Sequence, residues 1–293
     1  MKIATVINFS TNETVFLKHC VREASVFSRQ ILISVCDHFF DGKPENRDLL
    51  QGIYAQFPDC KFIEYPFHQG FYSQHSTRFW HNLGRLLGFY YVDKEIEYVL
   101  FLDVDEIVDG VKFLAWLEDF PLNNYEALQL ACFWYFRKEH YQSKVWEETP
   151  LFMKKTSISH ELLMHPFERG GAFFEVTGKK AGFIKGKDGL PMVHHYSWVR
   201  SKKEMLRKVV SWGHRGERDW VTLVEEEFSH PFNGKDFIHG YDFIKVDPFI
   251  KLDKKIPKSE VKKEWRNVKL LTPPDVNKID LILKFNCIEL SES

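Results

Sequence analysis

Short apolar runs alternate with longer segments of helical periodicity along much of the chain. Strands are predicted at residues 2–9, 31–37, 61–65, 99–104, 127–135 and 150–154. Helices are predicted at residues 13–27, 48–57, 76–91, 111–119 and 202–212, where apolar positions recur with the period of a helix. This alternation is typical of a mainly parallel sheet with helices on both of its faces, so the sequence predicts a mixed α/β fold.

Two stretches depart from this pattern. Residues 157–193 contain frequent glycines and little periodicity, which predicts loops around short strands. Residues 251–269 carry eight Lys or Arg against three acids, which predicts either a solvated surface or peripheral contact with an anionic membrane. Since no repeat or clear linker interrupts the chain, we expect a single domain over residues 1–293. Within it we expect a first half with regular strand–helix alternation (1–110), a second half that is richer in loops (111–250) and a basic C-terminal extension (251–293).

Composition narrows the classes of function. The chain has 293 residues, 44% of them hydrophobic, which is enough for a substantial core. Its net charge of −1 gives no general attraction to nucleic acid. The five cysteines include no CxxC pair, which argues against a disulfide framework or a cysteine-rich zinc site and favours a reducing compartment. No run approaches the roughly 20 apolar residues of a membrane span, and the N-terminal run is short for a signal peptide, so we expect a cytoplasmic protein.

A cluster of acids follows one of the predicted strands. In YVLFLDVDEIVDG, residues 98–110, an apolar strand runs into Asp103, Asp105 and Glu106. Residues i and i+2 of a strand face the same way, so the two aspartates should project together and repel each other. Relieving that repulsion, as in Asp105→Asn, should then stabilise the protein slightly. A divalent cation such as Mg²⁺ or Mn²⁺ would compensate the pair; alternatively, the acids are solvated or cap the next helix.

Five segments, taken in order, resemble GT-A fold glycosyltransferases of the family 2 type, which carry a DxD motif. VINFSTNETVFLKHCVREASVFSRQILISVCDHFFDG is similar to their nucleotide-binding opening, and HSTRFWHNLGRLLGFYYV to the helix before the DxD strand. LFLDVDEIV resembles their "fLDxDE" strand, PLFMKK a "PrlfrK" segment, and HYSWVRSKKEMLRKV the pattern "HysyvRs…e…K". The resemblance covers about residues 3 to 214 and implies a Rossmann-like GT-A fold and sugar transfer from a nucleoside diphosphate, with UDP expected. It also implies that residues 1–110 are the nucleotide-sugar-binding half and residues 111–250 the acceptor-side half.

A second pattern fits the acid cluster less completely. Phosphatases of the haloacid dehalogenase class carry DxDx[TV] after an apolar strand, but Ile107 occupies the last position here. That motif normally opens its domain, whereas this one follows about 100 residues of α/β pattern, and no downstream acidic pair for Mg²⁺ is found.

The glycosyltransferase resemblance implies roles for several residues around the nucleotide. Asp105 would bind Mn²⁺ or Mg²⁺ and so help the diphosphate to leave, while Asp103 would contact the donor ribose or a metal-bound water. Glu106 would support this site through a hydrogen bond or cap a helix. Asn8 and Asp37, each near the end of a strand, would contact the nucleotide.

Further residues are assigned with an alternative beside each. Arg78 and Asn82 share a helix face that would contact the donor or would simply be exposed. His195 matches the histidine of the family pattern and would add a metal ligand. His194 is a further candidate ligand although it should point to the opposite face, and a structural role is open for both. Arg200 would bind phosphates, and residues 212–215 would contact the acceptor or diphosphate or simply pack.

The acceptor side is the poorest match to the family. ISHELLM, residues 158–164, resembles a "vHE" element in which Glu161 would be the general base of an inverting transfer. Glu168, Glu175 and Asp188 are alternatives, and a retaining enzyme would need no such base. The expected partners are the nucleotide-sugar donor and a glycan, glycolipid or protein acceptor. The alternatives are a catalytically silent nucleotide-sugar-binding protein and, less favoured, the phosphatase.

Overall fold

The computed structural model describes residues 1–67, 77–180 and 182–252, together with the backbone of residues 270–271. Its strands are β1 (Ile3–Phe9), β2 (Gln30–Cys36), β3 (Lys61–Tyr65), β4 (Tyr98–Asp103), β5 (Glu106–Val108), β6 (Ala127–Phe136), β7 (Tyr141–Ser143), β8 (Glu147–Lys154), β9 (Val193–Trp198), β10 (Phe243–Lys245) and β11 (Leu270–Leu271). Its α-helices are α1 (Thr14–Ala24), α2 (Arg47–Gln56), α3 (Thr77–Tyr90), α4 (Gly110–Asp119), α5 (His160–Leu163), α6 (Glu168–Thr177), α7 (Lys202–Ser211) and α8 (Trp220–Glu227).

The described strands form one curled sheet. Its order is β10-β7-β6-β8-β4-β1-β2-β3-β11, with β9 paired to β6 and β5 to β9. Strands β1 to β4 run parallel, and β8 lies antiparallel between β4 and β6. Strand β6 therefore runs in the direction of β4, and the sheet is mixed but mainly parallel. This confirms the predicted fold class, a Rossmann-like α/β fold of the GT-A type.

Helices cover both faces of the sheet. One core cluster contains apolar residues of α1, α2 and α4, and a second contains those of α3, α5 and α6. A third cluster joins α7 and α8 to the strands beside them through Trp134, Trp198, Met205 and Trp220. Both faces are thus buried, so the edge formed by the carboxyl ends of the strands is where a ligand can approach the sheet.

Helix α3 packs close to that edge because two of its residues are glycines. A Cβ atom added at Gly88 would lie 2.4 Å from Val6 Cγ1, and one added at Gly84 would lie 2.6 Å from Asn8 Oδ1. Both distances are shorter than any ordinary contact, so the helix could not sit here with side chains at these positions. The two glycines that weaken the helical pattern in the sequence therefore permit its close approach to β1.

The structure differs from the prediction in residues 157–193. Helices α5 and α6 lie there instead of loops. The sequence of α6, ERGGAFFEVT, did not predict a helix because its two adjacent glycines have low helix propensity. Strands β5 and β9, which flank the site, were also missed; β5 has only three residues. Residues 253–269 and 272–293 of the predicted basic extension lie outside the described residues. Within the described part of the chain, every helix is too short or too polar to cross a membrane.

Candidate functional site

A cavity of about 550 Å³ opens at the carboxyl ends of β1, β2 and β4. Asn8, Ser34 and Asp103 lie side by side there, because Asn8 pairs in register with Ser34 on β2 and with Asp103 on β4. Both predicted halves of the chain contribute to the lining, which includes Asn8, Ser34, Asp103 and Asp105 from the first and Trp134, Glu147, His195, Lys208, Trp212 and His239 from the second.

Two buried arginines hold Asp103 at the end of β4. Arg85 Nη2 donates to both carboxylate oxygens, at 2.9 and 3.2 Å, and Arg169 Nη2 donates to one of them at 3.0 Å. Burial alone would raise the pKa of Asp103, but Arg169 and Arg85 outweigh it and hold the pKa well below its usual range. The Asp103 carboxylate is therefore fixed in position and stays ionised. A carboxylate engaged in this way is a poor nucleophile, and it stands on the fourth strand, so the geometry argues against the phosphatase alternative.

Glu106 supports the same cluster and does not cap a helix. Its carboxylate accepts from both terminal nitrogens of Arg169 and, at 2.8 Å, from the backbone N–H of Asp103. The cap of α4 is Asp109, whose Oδ1 accepts from the backbone N–H of Lys112 at 3.0 Å. Of the two roles that the sequence left open for Glu106, the structure shows the hydrogen-bonding one.

Asp105 is the centre of a second group of charges. It is 3% exposed, and its Oδ2 lies 3.1 Å from Lys208 Nζ and 3.5 Å from Arg200 Nη2. Its Oδ1 lies 3.8 Å from His195 Nε2. Burial alone would raise the pKa of Asp105, but Lys208, His195 and Arg200 together lower it to about 2. The compensation that the acid pair requires is thus supplied at least partly by the chain's own cations.

Glu13 completes this group from the short 3-10 helix (Thr11–Glu13) that follows β1. Its Oε1 accepts from Arg200 Nη2 at 2.6 Å and from Lys208 Nζ at 3.1 Å. Burial is the main reason that the pKa of Glu13 is raised, with Asp105 adding to it against the opposing effect of Lys208. The two cations therefore bridge two carboxylates that would otherwise repel each other.

Lys208 lines the cavity but was not singled out from the sequence. It lies on the buried face of α7 with Met205 and Val209, and its Nζ also donates to Ser197 Oγ at 2.8 Å. A capping box between Ser201 and Glu204 fixes the start of this helix. The signal was present, because Lys208 is the last residue of the matched "HysyvRs…e…K" pattern.

The adjacent histidines 194 and 195 on β9 face opposite sides, as strand geometry requires. His195 lines the cavity, whereas His194 Nδ1 lies 2.7 Å from Tyr135 Oη and its ring stacks on Phe249. Burial lowers the pKa of His194 to about 3, so this side chain stays neutral. Burial also acts to lower the pKa of His195, but Glu147 and Asp105 raise it on balance. The structure therefore places His195 at the site and His194 in the core, away from any ligand position.

A turn held together by Asp236 brings His239 into the lining of the cavity. The buried carboxylate of Asp236 accepts from the backbone N–H groups of residues 238, 239, 240 and 241, at 2.6 to 3.3 Å. His239 Nε2 lies 3.5 Å from Glu147 Oε1, and His195 Nδ1 lies 3.6 Å from Glu147 Oε2. Glu147, at the start of β8, is thus held between two imidazoles and was not singled out from the sequence.

The remaining predicted residues divide into those at the cavity and those outside its lining. Asn8 and Arg78 line the cavity, Arg78 in an ion pair with Glu217 at 2.9 Å. Asp37 does not line it; its Oδ1 lies 2.6 Å from His38 Nδ1 and accepts from the backbone N–H of Phe67 at 2.7 Å. Asn82 is buried and accepts from Arg85, so it supports the Asp103 cluster.

The predicted general base lies away from the cavity. Glu161 is exposed and is absent from the lining, although the short helix that carries it, residues 160–163, packs on α3 and α6 through the buried Leu163. Among the alternatives, Glu175 and Asp188 are also outside the lining. Glu168 lines the cavity but pairs with Arg85 at 3.2 Å. Of residues 212–215, Trp212 and His214 line it as well. Trp212 also packs edge-on against Trp198 and Trp220.

Two side-chain atoms in the cavity are suitable ligands for one divalent cation. Oδ1 of Asp105 and Nε2 of His195 face each other, whereas both oxygens of Asp103 are taken by arginines. Within the described ranges, no three His, Cys, Asp or Glu side chains gather closely enough to hold an ion by themselves. Mg²⁺ commonly needs only one or two protein ligands beside water and phosphate, so the Asp105–His195 pair is compatible with such an ion.

Comparisons with known proteins give only distant likenesses. No protein-family model and no curated protein matches the chain. Among solved structures, 4-diphosphocytidyl-2C-methyl-D-erythritol synthase from Anaerococcus prevotii DSM 20548 is 12% identical with a TM-score of 0.37, covering 64% of this chain and 90% of that one. The glycosyltransferase GlyE of Streptococcus pneumoniae TIGR4 is 14% identical with a TM-score of 0.36, covering 80% and 66%. Its apo form is 13% identical with a TM-score of 0.39, covering 78% and 64%. Because these scores are low, the fold assignment rests on the strand order.

Proposed function

We propose that this protein is a glycosyltransferase that moves a sugar from a nucleoside-diphosphate donor, with UDP expected, to a hydroxyl group of a glycan, glycolipid or protein. One observation carries the proposal. Asp105, at the carboxyl edge of the sheet, lies in a cavity between Lys208, Arg200 and His195. A negatively charged leaving group is best stabilised where fixed charges and dipoles already surround it.

In the described part of the cavity wall, some buried polar atoms lack hydrogen bonds. Within the described residues, five lining side chains hold a buried polar atom without a hydrogen bond, namely Asn8 Oδ1, Asn12 Oδ1, Ser34 Oγ, His195 Nδ1 and Trp212 Nε1. Buried polar groups are rarely left unpaired in native proteins. The hydroxyls, phosphates and base of a nucleotide sugar carry the donors and acceptors that would pair with them.

The charge of the cavity supports the proposal of a metal ion. Six acidic side chains line it, namely Glu13, Asp103, Asp105, Glu147, Glu168 and Glu217. Six Lys or Arg line it or contact those acids, namely Arg78, Arg85, Arg169, Arg200, Lys208 and Arg218. The cavity therefore has no surplus positive charge for a diphosphate. Mn²⁺ or Mg²⁺ on Asp105 and His195 would supply it and would stabilise the leaving diphosphate as a Lewis acid.

The chain's own residues would then bind and orient the donor. Lys208, which lines the cavity, would exchange one of its three hydrogen bonds, to Asp105, Glu13 or Ser197, for one to a phosphate oxygen. Arg200 would remain paired with the carboxylates of Glu13 and Asp105. Asp103, fixed by Arg85 and Arg169, would accept from a donor hydroxyl. Because ion pairs hold these side chains in fixed positions, they would orient the donor before the acceptor binds.

The test is a panel of nucleotide sugars with and without Mn²⁺. We expect one nucleotide to bind in isothermal titration calorimetry and the corresponding sugar donor to be cleaved in the presence of metal. Lys208→Met should weaken nucleotide binding by at least about tenfold, the scale of one charge-assisted contact. Tight binding without turnover would instead favour the catalytically silent alternative. Failure of every nucleotide and nucleotide sugar to bind would refute the proposal.

A further inference from the structure

The acids that line the cavity differ in whether a Lys or Arg side chain pairs with them. Five of them are engaged by Lys or Arg: Glu13 and Asp105 by Lys208, Asp103 and Glu168 by Arg85, and Glu217 by Arg78. Glu147 is the lining acid for which the described residues provide no Lys or Arg partner. Its neighbours are the imidazoles of His195 and His239. A carboxylate that an arginine already holds is a poor proton acceptor, so the arrangement separates Glu147 from the rest.

Glu147 also stands at a suitable place. His195 lies between it and Asp105, with Nε2 3.8 Å from the Asp105 carboxylate and Nδ1 3.6 Å from the Glu147 carboxylate. A sugar whose diphosphate lies beside Asp105 would present its far side towards Glu147, across about the width of one imidazole. The general base of an inverting transfer must reach the acceptor hydroxyl on that far side.

The surroundings of Glu147 are preorganised and partly aromatic. The Asp236-centred turn fixes His239, whose ring packs against Trp134 at 5.0 Å and Tyr241 at 5.0 Å. The side chain of Glu147 retains 18% of its exposure, so a ligand in the cavity can reach it. A pocket end with an aromatic wall and one accessible carboxylate suits a hydroxyl-rich ligand such as a sugar.

We propose that Glu147 binds the acceptor hydroxyl and acts as the general base of an inverting transfer. Its carboxylate accepts the hydroxyl proton while the acceptor oxygen forms a bond to the anomeric carbon of the donor. The bond from that carbon to the diphosphate oxygen breaks, and its electron pair leaves with the diphosphate. This inference rests on the proposed glycosyltransferase function and replaces Glu161 by Glu147 as the base.

The experiment compares three isosteric variants with the wild-type chain. Cleavage of the best donor from a panel of UDP-glucose, UDP-galactose, UDP-N-acetylglucosamine and GDP-mannose is followed with water as the acceptor, and binding of the free nucleotide is titrated with Mn²⁺ present. Glu147→Gln should lower turnover at least about 100-fold, as for loss of a general base, with nucleotide affinity changed less than about twofold. Glu148→Gln, a neighbour that accepts from the backbone N–H groups of residues 182 and 183, is the matched control and should keep full turnover.

The outcomes separate this inference from the function on which it rests. If Glu147→Gln keeps wild-type turnover, or if Glu161→Gln loses turnover instead, Glu147 is not the base although the chain is a transferase. A parallel loss of nucleotide affinity in Glu147→Gln would likewise overturn the assignment. If the wild-type chain binds and cleaves no nucleotide sugar, the proposed function falls and the assignment with it. Should Glu147→Gln melt early, Glu147→Asp decides, because it keeps the carboxylate but shortens its reach and should retain only part of the turnover.

Discussion

Asp105→Asn removes a charge that buried cations face, and the structure gives the size of the effect. The shift in the pKa of Asp105, from an ordinary 3.8 to about 2, is set by burial, which opposes it, and by Lys208, His195 and Arg200, which outweigh burial. Nearly two pKa units at about 1.4 kcal/mol each amount to about 2 to 3 kcal/mol. We therefore expect the variant to lose about that much free energy of unfolding at neutral pH. The sequence alone suggested the opposite, a slight gain from relieving repulsion with Asp103.

The effect has a defined pH dependence. The folded-state pKa of Asp105 lies below the unfolded one, so its contribution is fully present above about pH 4 and is lost as the pH falls through about 2. The difference in free energy of unfolding between the wild type and Asp105→Asn should therefore be constant from neutral pH down to about pH 5 and should shrink below about pH 4.

Urea unfolding, followed by circular dichroism over this pH range, measures the difference. Asp109→Asn is the matched control: it makes the same substitution four residues later, at the cap of α4, where Asn caps a helix about as well as Asp. Its free energy of unfolding should change little. If Asp105→Asn is as stable as the wild type at neutral pH and the control is unaffected, the ion pairs of Asp105 with Lys208 and Arg200 do not add to the free energy of unfolding, and the reasoning is refuted.

Three further expectations follow from the packing and the charges. Gly88→Ala places a Cβ atom 2.4 Å from Val6 and should cost about 1 to 3 kcal/mol of stability, whereas Gly170→Ala, with no atom within 4 Å, should be neutral or stabilising; thermal unfolding checks both. Arg169→Met leaves Glu106 buried without its guanidinium partner and should cost about 3 to 5 kcal/mol in urea unfolding; a loss below about 1 kcal/mol would contradict this. Chelation of Mn²⁺ or Mg²⁺ should weaken nucleoside-diphosphate binding in calorimetry, and equal affinity with and without a chelator would show that no metal ion takes part.

The strand and helix pattern of the fold was readable from the sequence because each element buries a continuous apolar face. Strands β1 to β4 and β6, and helices α1 to α4 and α7, lie within a few residues of their predicted positions. Helix α6 was missed because its paired glycines lower helix propensity, and packing on the sheet overrides that cost. Strand β5 is three residues long and pairs with β9, a distant segment of the chain, and no local pattern reveals this pairing.

The site was predictable only where its residues share a local motif. Asp103, Asp105 and His195 belong to recognisable segments and do line the cavity. Glu147 and His239 carry no motif, since they come together through a strand end and a turn about 90 residues apart in the sequence. Glu161 was chosen from a local resemblance, but its side chain is exposed on the short helix α5 and does not line the cavity.

The ion pairs of Lys208 have a consequence for how the protein reaches its native state. Lys208 lies 103 residues from Asp105 and 195 residues from Glu13 along the chain. Contacts of such long range form late in folding, because the entropy of closing the intervening chain is lost before they are gained. A fragment ending shortly after the acid cluster would contain the sequence of the parallel strands β1 to β4 but would lack Lys208 and Arg200, the cations that hold Asp105. We therefore expect nucleotide affinity to appear only in the last kinetic phase of refolding, after most of the helical signal has returned.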